Sequence, residues 1–339
     1  MAYEKIAVVG AGAWGTALAH SLAAKGRDVL VWAHEAATVD DINTTHTNPT
    51  FLAGVDLAPT IAGTADLADL AGRDICLLVP PAQHLREIAG SLAAHLAADA
   101  PMVICSKGIE QATGKLLGDV MRDVMPGATL AALSGPSFAI EVARGLPAAL
   151  TVACTDETIG EEIALSIAGA NMRLYWTDDM IGAQLGGAIK NVLAIAAGIV
   201  EGRKLGSNAH AALVTRGFAE MNRFARALGA RPETMAGLAG LGDLLLTCGS
   251  PKSRNMSLGI KLGEGIALDE IMGGRRTVSE GVYTAAAMVG LAERNGVNVP
   301  IARAVHAIVE GRISVDDAIQ DLMARPPKAE YGPEDRVNG

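Results

Sequence analysis

The segment Ala183 to Val200 carries a single formal charge, Lys190, and the residues one turn before and after it are Gly186, Gly187 and Ala194. At helical spacing these small residues leave the face around the lysine almost bare of side-chain bulk. Burying an isolated ammonium is costly and lowers its pKa, a setting that suits a group passing protons at neutral pH; the plainer reading is a lysine that snorkels to solvent. A second constellation opens the chain. Gly10-Ala-Gly-Ala-Trp-Gly15 follows the apolar run Ile6 to Val9 and leads into a helical pattern beginning near Thr16. In that context Gly10 permits a sharp turn, Gly12 lets the backbone approach a pyrophosphate, and Gly15 lets the helix pack on a sheet. The helix N-terminus then presents N–H groups to the anion. Dinucleotide binding is the chemistry this spacing predicts.

The next apolar run ends in Val31-Trp32-Ala33-His34-Glu35. An acid near this place grips a ribose 2′-hydroxyl and repels a 2′-phosphate, which Glu35 could do, whereas the imidazole of His34 could tolerate the phosphate. Glu35 reads equally as a solvated turn residue, so NADP and NAD both stay open.

These groups need a scaffold. From Lys5 to about Trp176, short apolar runs alternate with helical patterns, the signature of a mostly parallel sheet wrapped by helices. Strands are expected over Ile6 to Val9, Val29 to Trp32, Ile75 to Val79, Met102 to Cys105, Leu130 to Leu133, Ala149 to Ala153 and Arg173 to Trp176. Ligands of such sheets bind outside the carboxyl ends of the strands, where Pro80-Pro81 and Ser134-Gly135-Pro136-Ser137 stand. After about Thr177 the strands give way to helical periodicity through Met180 to Val200, Asn208 to Leu228, Gly281 to Arg294 and Ile301 to Glu310. The expected fold is an α/β N-terminal doubly wound (Rossmann-type) domain over 1–179 plus an all-helical C-terminal domain over 180–325. Residues 326–339 read as a loose, polar, Pro-containing tail.

Composition narrows the function. A formal net charge of -9 argues against nucleic acid as a partner, because binding a phosphate backbone needs a basic face; a few cations converging in a cleft can still attract a small anion. Aromatics make up only 3% of the chain, so small aliphatic side chains must fill the interior, as close helix contacts require. Cys76, Cys105, Cys154 and Cys248 lie far apart without the paired spacing of zinc sites or redox dithiols, and no metal is expected. The absence of a signal-peptide pattern and of any uninterrupted apolar segment of about 20 residues leads to the expectation of a soluble, cytoplasmic protein without stable membrane insertion.

Gly187-Ala-Ile-Lys-Asn-Val-Leu-Ala-Ile-Ala-Ala-Gly-Ile-Val-Glu-Gly202, continuing to Leu205-Gly-Ser-Asn208, resembles the signature of bacterial-type NAD(P)-dependent glycerol-3-phosphate dehydrogenases. So do Ser106-Lys107-Gly108, Ser134-Gly-Pro-Ser-Phe-Ala139, Leu238-Ala-Gly-Leu-Gly-Asp-Leu244 and Ser253-Arg-Asn255, in the family's order. The resemblance implies interconversion of sn-glycerol 3-phosphate and dihydroxyacetone phosphate by hydride transfer, a supply of glycerol phosphate for phospholipid synthesis, and a homodimer. It makes Lys190, assisted by Lys107 and Asp243, the general acid or base at the substrate's C2 oxygen. It places Lys107, Gly135, Ser137, Lys190, Asn191, Asp243, Ser253, Arg254 and Asn255 around the substrate. Gly10, Gly12, Ala13, Trp14, Gly15, His34, Lys107, Ala139, Arg254, Val278 and Glu280 are implied around the cofactor. Each role has a physical basis: an ammonium stabilises and protonates the oxyanion of a ketone under reduction, and a guanidinium fork matches phosphate. Plainer readings stand beside them, with Ser253, Asn255 or Asp243 as helix caps and Lys107 as a solvated loop charge.

Arg203 stands where the family usually has an apolar residue, Lys204 follows it, and Arg275 and Arg276 flank the Glu280-Gly281 pair; their roles stay open. The glycine-flanked stretch Gly273 to Gly281 is predicted to form a lid over the cofactor. Two rivals remain at this stage: a dehydrogenase of the same architecture acting on a 3-hydroxy acid, which would need a carboxylate clamp in place of Arg254 and Asn255, and a non-catalytic dinucleotide sensor.

Overall fold

The computed structural model describes residues 3–97, 99–169, 171–273, 279–327 and 329–330. The chain divides into two compact units, one comprising residues up to Lys107 together with Lys115–Gln184, the other Gly108–Gly114 together with Leu185 onward.

The first unit is built on an eight-stranded sheet of β1 (Lys5–Val9), β2 (Asp28–Trp32), β3 (Ala62–Thr64), β4 (Ile75–Leu78), β5 (Met102–Ile104), β6 (Leu130–Ser134), β7 (Ala148–Cys154) and β8 (Met172–Thr177), in the order β3-β2-β1-β4-β5-β6-β7-β8. The strands from β3 across to β6 are parallel. β1, β2, β4 and β5 are buried along most of their length, as strands covered on both faces must be. The chain leaves β1 towards β2 and β3, then returns past it to β4, which makes the carboxyl end of β1 a topological switch point.

All seven strands expected from apolar runs are present, with an eighth, β3, whose Ala-Gly-Thr sequence carries no apolar signal and which exists through its pairing of Ala62 with Leu30. β7 runs antiparallel to β6. The helix between them, Ala139–Ala143, is only five residues long, too short to carry the chain back over the sheet for a parallel return.

Among the described residues the second unit carries helices and no named strand. Its centre is the helix Met180–Gly202 from Leu185 onward; the helix has the length and apolarity of a membrane span, yet 89% of its most apolar window is buried inside the fold. It is a core helix. The helix Arg254–Gly263 lies so close that a Cβ on Gly198 would collide with the carbonyl of Met256, and one on Gly259 with that of Ile195. The small residues therefore allow backbone-to-backbone packing that larger side chains would prevent. All four cysteines are buried and free. Burial pushes the Cys248 thiol up to about 12 and raises those of Cys76 and Cys105 further, which makes them inert packing groups.

Arg203 and Lys204 finish the central helix. Arg203 pairs with Asp316 at 3.0 Å, while Lys204 adopts φ 56° and donates its N–H to Glu201 O as Leu205 N–H reaches Val200 O. That is a Schellman ending with lysine in the left-handed position glycine usually fills. The tail residues 328 and 331–339 lie outside the described residues; of the rest, the carbonyl of Glu330 accepts from Arg216 at 3.0 Å.

Candidate active site

The first unit gathers its candidate residues along the carboxyl ends of adjacent strands. After β1, Gly10 turns with φ +114°, and a Cβ there would press on the Val79–Pro80 peptide that follows β4. Gly12 caps the helix Ala13–Ala24, and Gly15 is pressed against the carbonyl of Gly10, where no side chain fits. At Gly12, by contrast, a Cβ would meet nothing within 4 Å. Trp14 Nε1 is buried without a hydrogen-bond partner. An open backbone approach at the second glycine, a helix N-terminus and an orphaned donor fit a dinucleotide.

The same row continues beyond β4. Ser106, just after β5, donates its hydroxyl to Pro80 O. Lys107 then reaches past the end of β6 to donate to Gly135 O at 2.9 Å, and Ser137 donates to the same carbonyl at 3.2 Å. Lys107 is thus held in place by the Ser134-Gly135-Pro136-Ser137 turn, not waving as a loop charge. Ala139 begins the short helix beyond it. At the end of β2, His34 and Glu35 are both exposed, the ring of His34 lying 6.3 Å from that of Trp32.

In the second unit Lys190 does not snorkel. Its side chain is 12% exposed, and Nζ donates to Asp243 Oδ1 at 2.9 Å and to Thr247 Oγ1 at 2.9 Å. Asp243 is 1% exposed at the start of the helix Asp243–Cys248, and Thr247, one turn on, donates its own proton back to Asp243 O at 2.6 Å. The hydroxyl of Thr247 can therefore only accept from the lysine, so Nζ is held between one carboxylate oxygen and one hydroxyl oxygen. The sequence holds no pointer to Thr247: its spacing of four from Asp243 puts the two on one helix face, but a lone threonine carries no signal by itself.

Next to Lys190, Asn191 accepts from Asn255 Nδ2 at 2.9 Å, and Asn255 Oδ1 accepts from Gly281 N at 3.0 Å. Both amides are nearly buried, and Gly281 lies against the Asn191 carbonyl where a Cβ would not fit. Ser253 is a helix cap, accepting from Met256 N at 3.3 Å. Arg254 opens that helix and keeps solvent contact; the surrounding protein lowers its pKa and the carboxylate of Glu280 raises it, and it stays a cation at any working pH. Val278, Arg275 and Arg276 lie outside the described residues, as does most of the expected lid.

A doubly wound sheet with a fitted glycine turn at its switch point, and a helical unit holding a buried lysine–carboxylate pair, define the class of dinucleotide-dependent oxidoreductases with separate cofactor and catalytic units. Two family models narrow this: the N-terminus of NAD-dependent glycerol-3-phosphate dehydrogenase matches residues 5–160 and its C-terminus residues 179–320. The chain belongs to the NAD-dependent glycerol-3-phosphate dehydrogenase family. It is 56% identical over 330 residues to glycerol-3-phosphate dehydrogenase [NAD(P)+] of Parvibaculum lavamentivorans, covering 97% of this chain and 99% of that one. The corresponding Caulobacter vibrioides protein is also 56% identical, with 97% and 100% covered. Among solved structures, the glycerol-3-phosphate dehydrogenase of Coxiella burnetii superposes with a TM-score of 0.92 at 37% identity, over 95% of this chain and 99% of that one.

Proposed function

We propose that this chain interconverts sn-glycerol 3-phosphate and dihydroxyacetone phosphate with NAD or NADP, with Lys190 as the general acid and base. The observation that carries the reading is Lys190 Nζ fixed between Asp243 and Thr247 on a largely buried helix in which it is the only charged residue before Glu201. When bound, the nicotinamide supplies or accepts the hydride at C2. In ketone reduction, negative charge grows on the C2 oxygen, and Lys190 stabilises that charge and delivers the proton. In the oxidative direction the neutral amine takes the proton from the C2 hydroxyl and thereby becomes the ammonium, which Asp243 Oδ1 and Thr247 Oγ1 hold in place. Lys107, tied to Gly135, contributes a second positive charge to the substrate's surroundings.

Arg254 supplies the planar fork for the substrate phosphate, close to the Ser253 cap where helix N–H groups also favour an anion. Asn191 and Asn255 contribute neutral donors and acceptors beside it. Gly10, Gly12, Ala13, Trp14 and Gly15 form the cofactor turn, and His34 beyond β2 and Ala139 at the start of the short helix after β6 belong to the same unit. A homodimer through the helical unit is part of this reading, supported by Leu205, Leu245 and Met323, which expose 43%, 57% and 81% of their surface; sedimentation of the purified protein tests it. So is a cytoplasmic place feeding glycerol phosphate into phospholipid synthesis.

The deciding assay follows absorbance of the reduced nicotinamide while dihydroxyacetone phosphate is offered with NADPH and NADH in parallel, and unphosphorylated dihydroxyacetone as control. Turnover only of the phosphorylated ketone is expected. A 3-oxo acid offered in the same assay and reduced in preference to dihydroxyacetone phosphate would overturn the reading.

A further inference from the structure

We infer that Asn48 is a positioning residue for the cofactor turn, acting through the Ala11–Gly12 peptide. Asn48 lies beyond the helix Ala36–Thr44, 37 residues from Ala11 in sequence, and is 1% exposed. Its two amide hydrogens are both directed at the turn: Nδ2 donates to Ala11 O at 2.8 Å and to Thr16 Oγ1 at 2.8 Å. Its Oδ1 accepts from Phe51 N at 3.1 Å, which fixes which way the amide faces. Thr16 Oγ1 in turn donates to Ala11 O at 3.1 Å. The carbonyl of Ala11 therefore has two donors on its two lone pairs, both inside the fold.

The consequence is stereochemical. A trans peptide puts the carbonyl of one residue and the N–H of the next on opposite sides, and no peptide is cis among the described residues. Holding Ala11 O inward turns Gly12 N–H outward, on the residue beside which a Cβ would meet open space. The geometry thus aims a backbone donor at an anion and keeps a carbonyl dipole away from it, the arrangement by which glycine turns bind pyrophosphate. Left to itself, a peptide flanked by glycine could rotate and present its oxygen instead.

This inference rests on the reading of Gly10–Gly15 as the pyrophosphate site, and the test separates the two. Binding of ADP-ribose and of adenosine to the full-length protein is measured by calorimetry for the wild type, Gly12→Val, Asn48→Asp and Thr16→Val. Asn48→Asp is isosteric, keeps the acceptor for Phe51 N and sets an oxygen against Ala11 O. It is expected to weaken ADP-ribose at least tenfold while adenosine binding, which lacks the pyrophosphate, changes little. As pH falls the substituted carboxyl regains a proton to donate, so ADP-ribose affinity should recover in that variant and not change in the wild type. A merely structural role would not produce this recovery. Thr16→Val, which removes one of the two donors, should give a smaller selective loss should Asn48→Asp not fold. If Gly12→Val weakens ADP-ribose and neither Asn48→Asp nor Thr16→Val does so selectively, the positioning role is wrong. If none of the three weakens it, the turn itself is not the pyrophosphate site.

Discussion

Asp243 and Lys190 should behave in unfolding experiments as one unit. The pair is 2.9 Å apart, with side-chain exposures of 1% and 12%. Removing one partner of such a pair leaves the other charge in the interior, which costs about 3–5 kcal/mol, whereas removing both is far milder. The low end applies here: Lys190 retains some solvent contact and Thr247 stays beside it, and an orphaned Asp243 can relieve itself by taking a proton. Asp243→Asn and Lys190→Met are each expected to destabilise the protein by about 3 kcal/mol, and the double variant by less than either single one, a coupling of about 3 kcal/mol or more. Urea unfolding followed by far-ultraviolet circular dichroism, which the helical unit dominates, measures all four corners of the cycle. Costs that add to within about 0.5 kcal/mol would show that the two groups do not interact and would remove the reason for regarding Asp243 as the keeper of the ammonium.

Arg254→Ala should raise the KM for dihydroxyacetone phosphate by roughly 30- to 1000-fold, the equivalent of about 2–4 kcal/mol for a lost charge-assisted contact; steady-state kinetics check it, and an unchanged KM would move the phosphate site elsewhere. Lys204→Gly should stabilise the protein by about 1 kcal/mol, because φ 56° is strained for a side chain and free for glycine; a lower Tm would contradict this. Glu220 accepts from Ile301 N and Ala302 N at 2.9 Å each, capping the helix Pro300–Val309, and burial pushes its pKa from 4.5 up to about 7. The folded state then holds a proton that the unfolded chain has released, so its stabilising contribution is complete below pH 4.5 and is lost as pH rises to about 7. At ~1.4 kcal/mol per pH unit, Glu220→Gln should remove up to about 3 kcal/mol of that decline; identical pH slopes in urea unfolding would refute it.

The parts of this molecule that were legible in its sequence are those in which local pattern and burial coincide. Buried parallel strands are continuous apolar runs, so β1, β2, β4 and β5 announce themselves, and the Gly10–Gly15 turn follows from its place after β1. β3 was silent because three residues at a sheet edge gain their structure from pairing with β2 and not from their own composition. The membership of Gly108–Gly114 in the second unit is likewise a tertiary fact with no local sign. Lys190 stood out as a lone charge, but its partner lies 53 residues away, and only resemblance to a family joined the two. Thr247 and Asn48 stayed hidden because each acts through hydrogen bonds to partners that the sequence does not indicate. Lys204 is the converse: the pair Arg203-Lys204 stands out in the sequence with no role attached, and the structure shows an ion pair and a helix ending.

The most direct test of the account is the turnover of Lys190→Met beside its binding of NADPH. Methionine keeps the length and volume of the stem without the proton, and the charge that Lys190 meets develops only as hydride reaches carbon. Even allowing for lowered stability, measured below the variant's own unfolding transition, NADPH should bind with near wild-type affinity, since the Gly10–Gly15 turn belongs to the other unit. The kcat should fall by roughly 10²- to 10⁴-fold. A variant that binds NADPH and still turns over dihydroxyacetone phosphate at close to the wild-type rate would show Lys190 to be a structural lysine, and the proton chemistry would have to be rebuilt around Lys107.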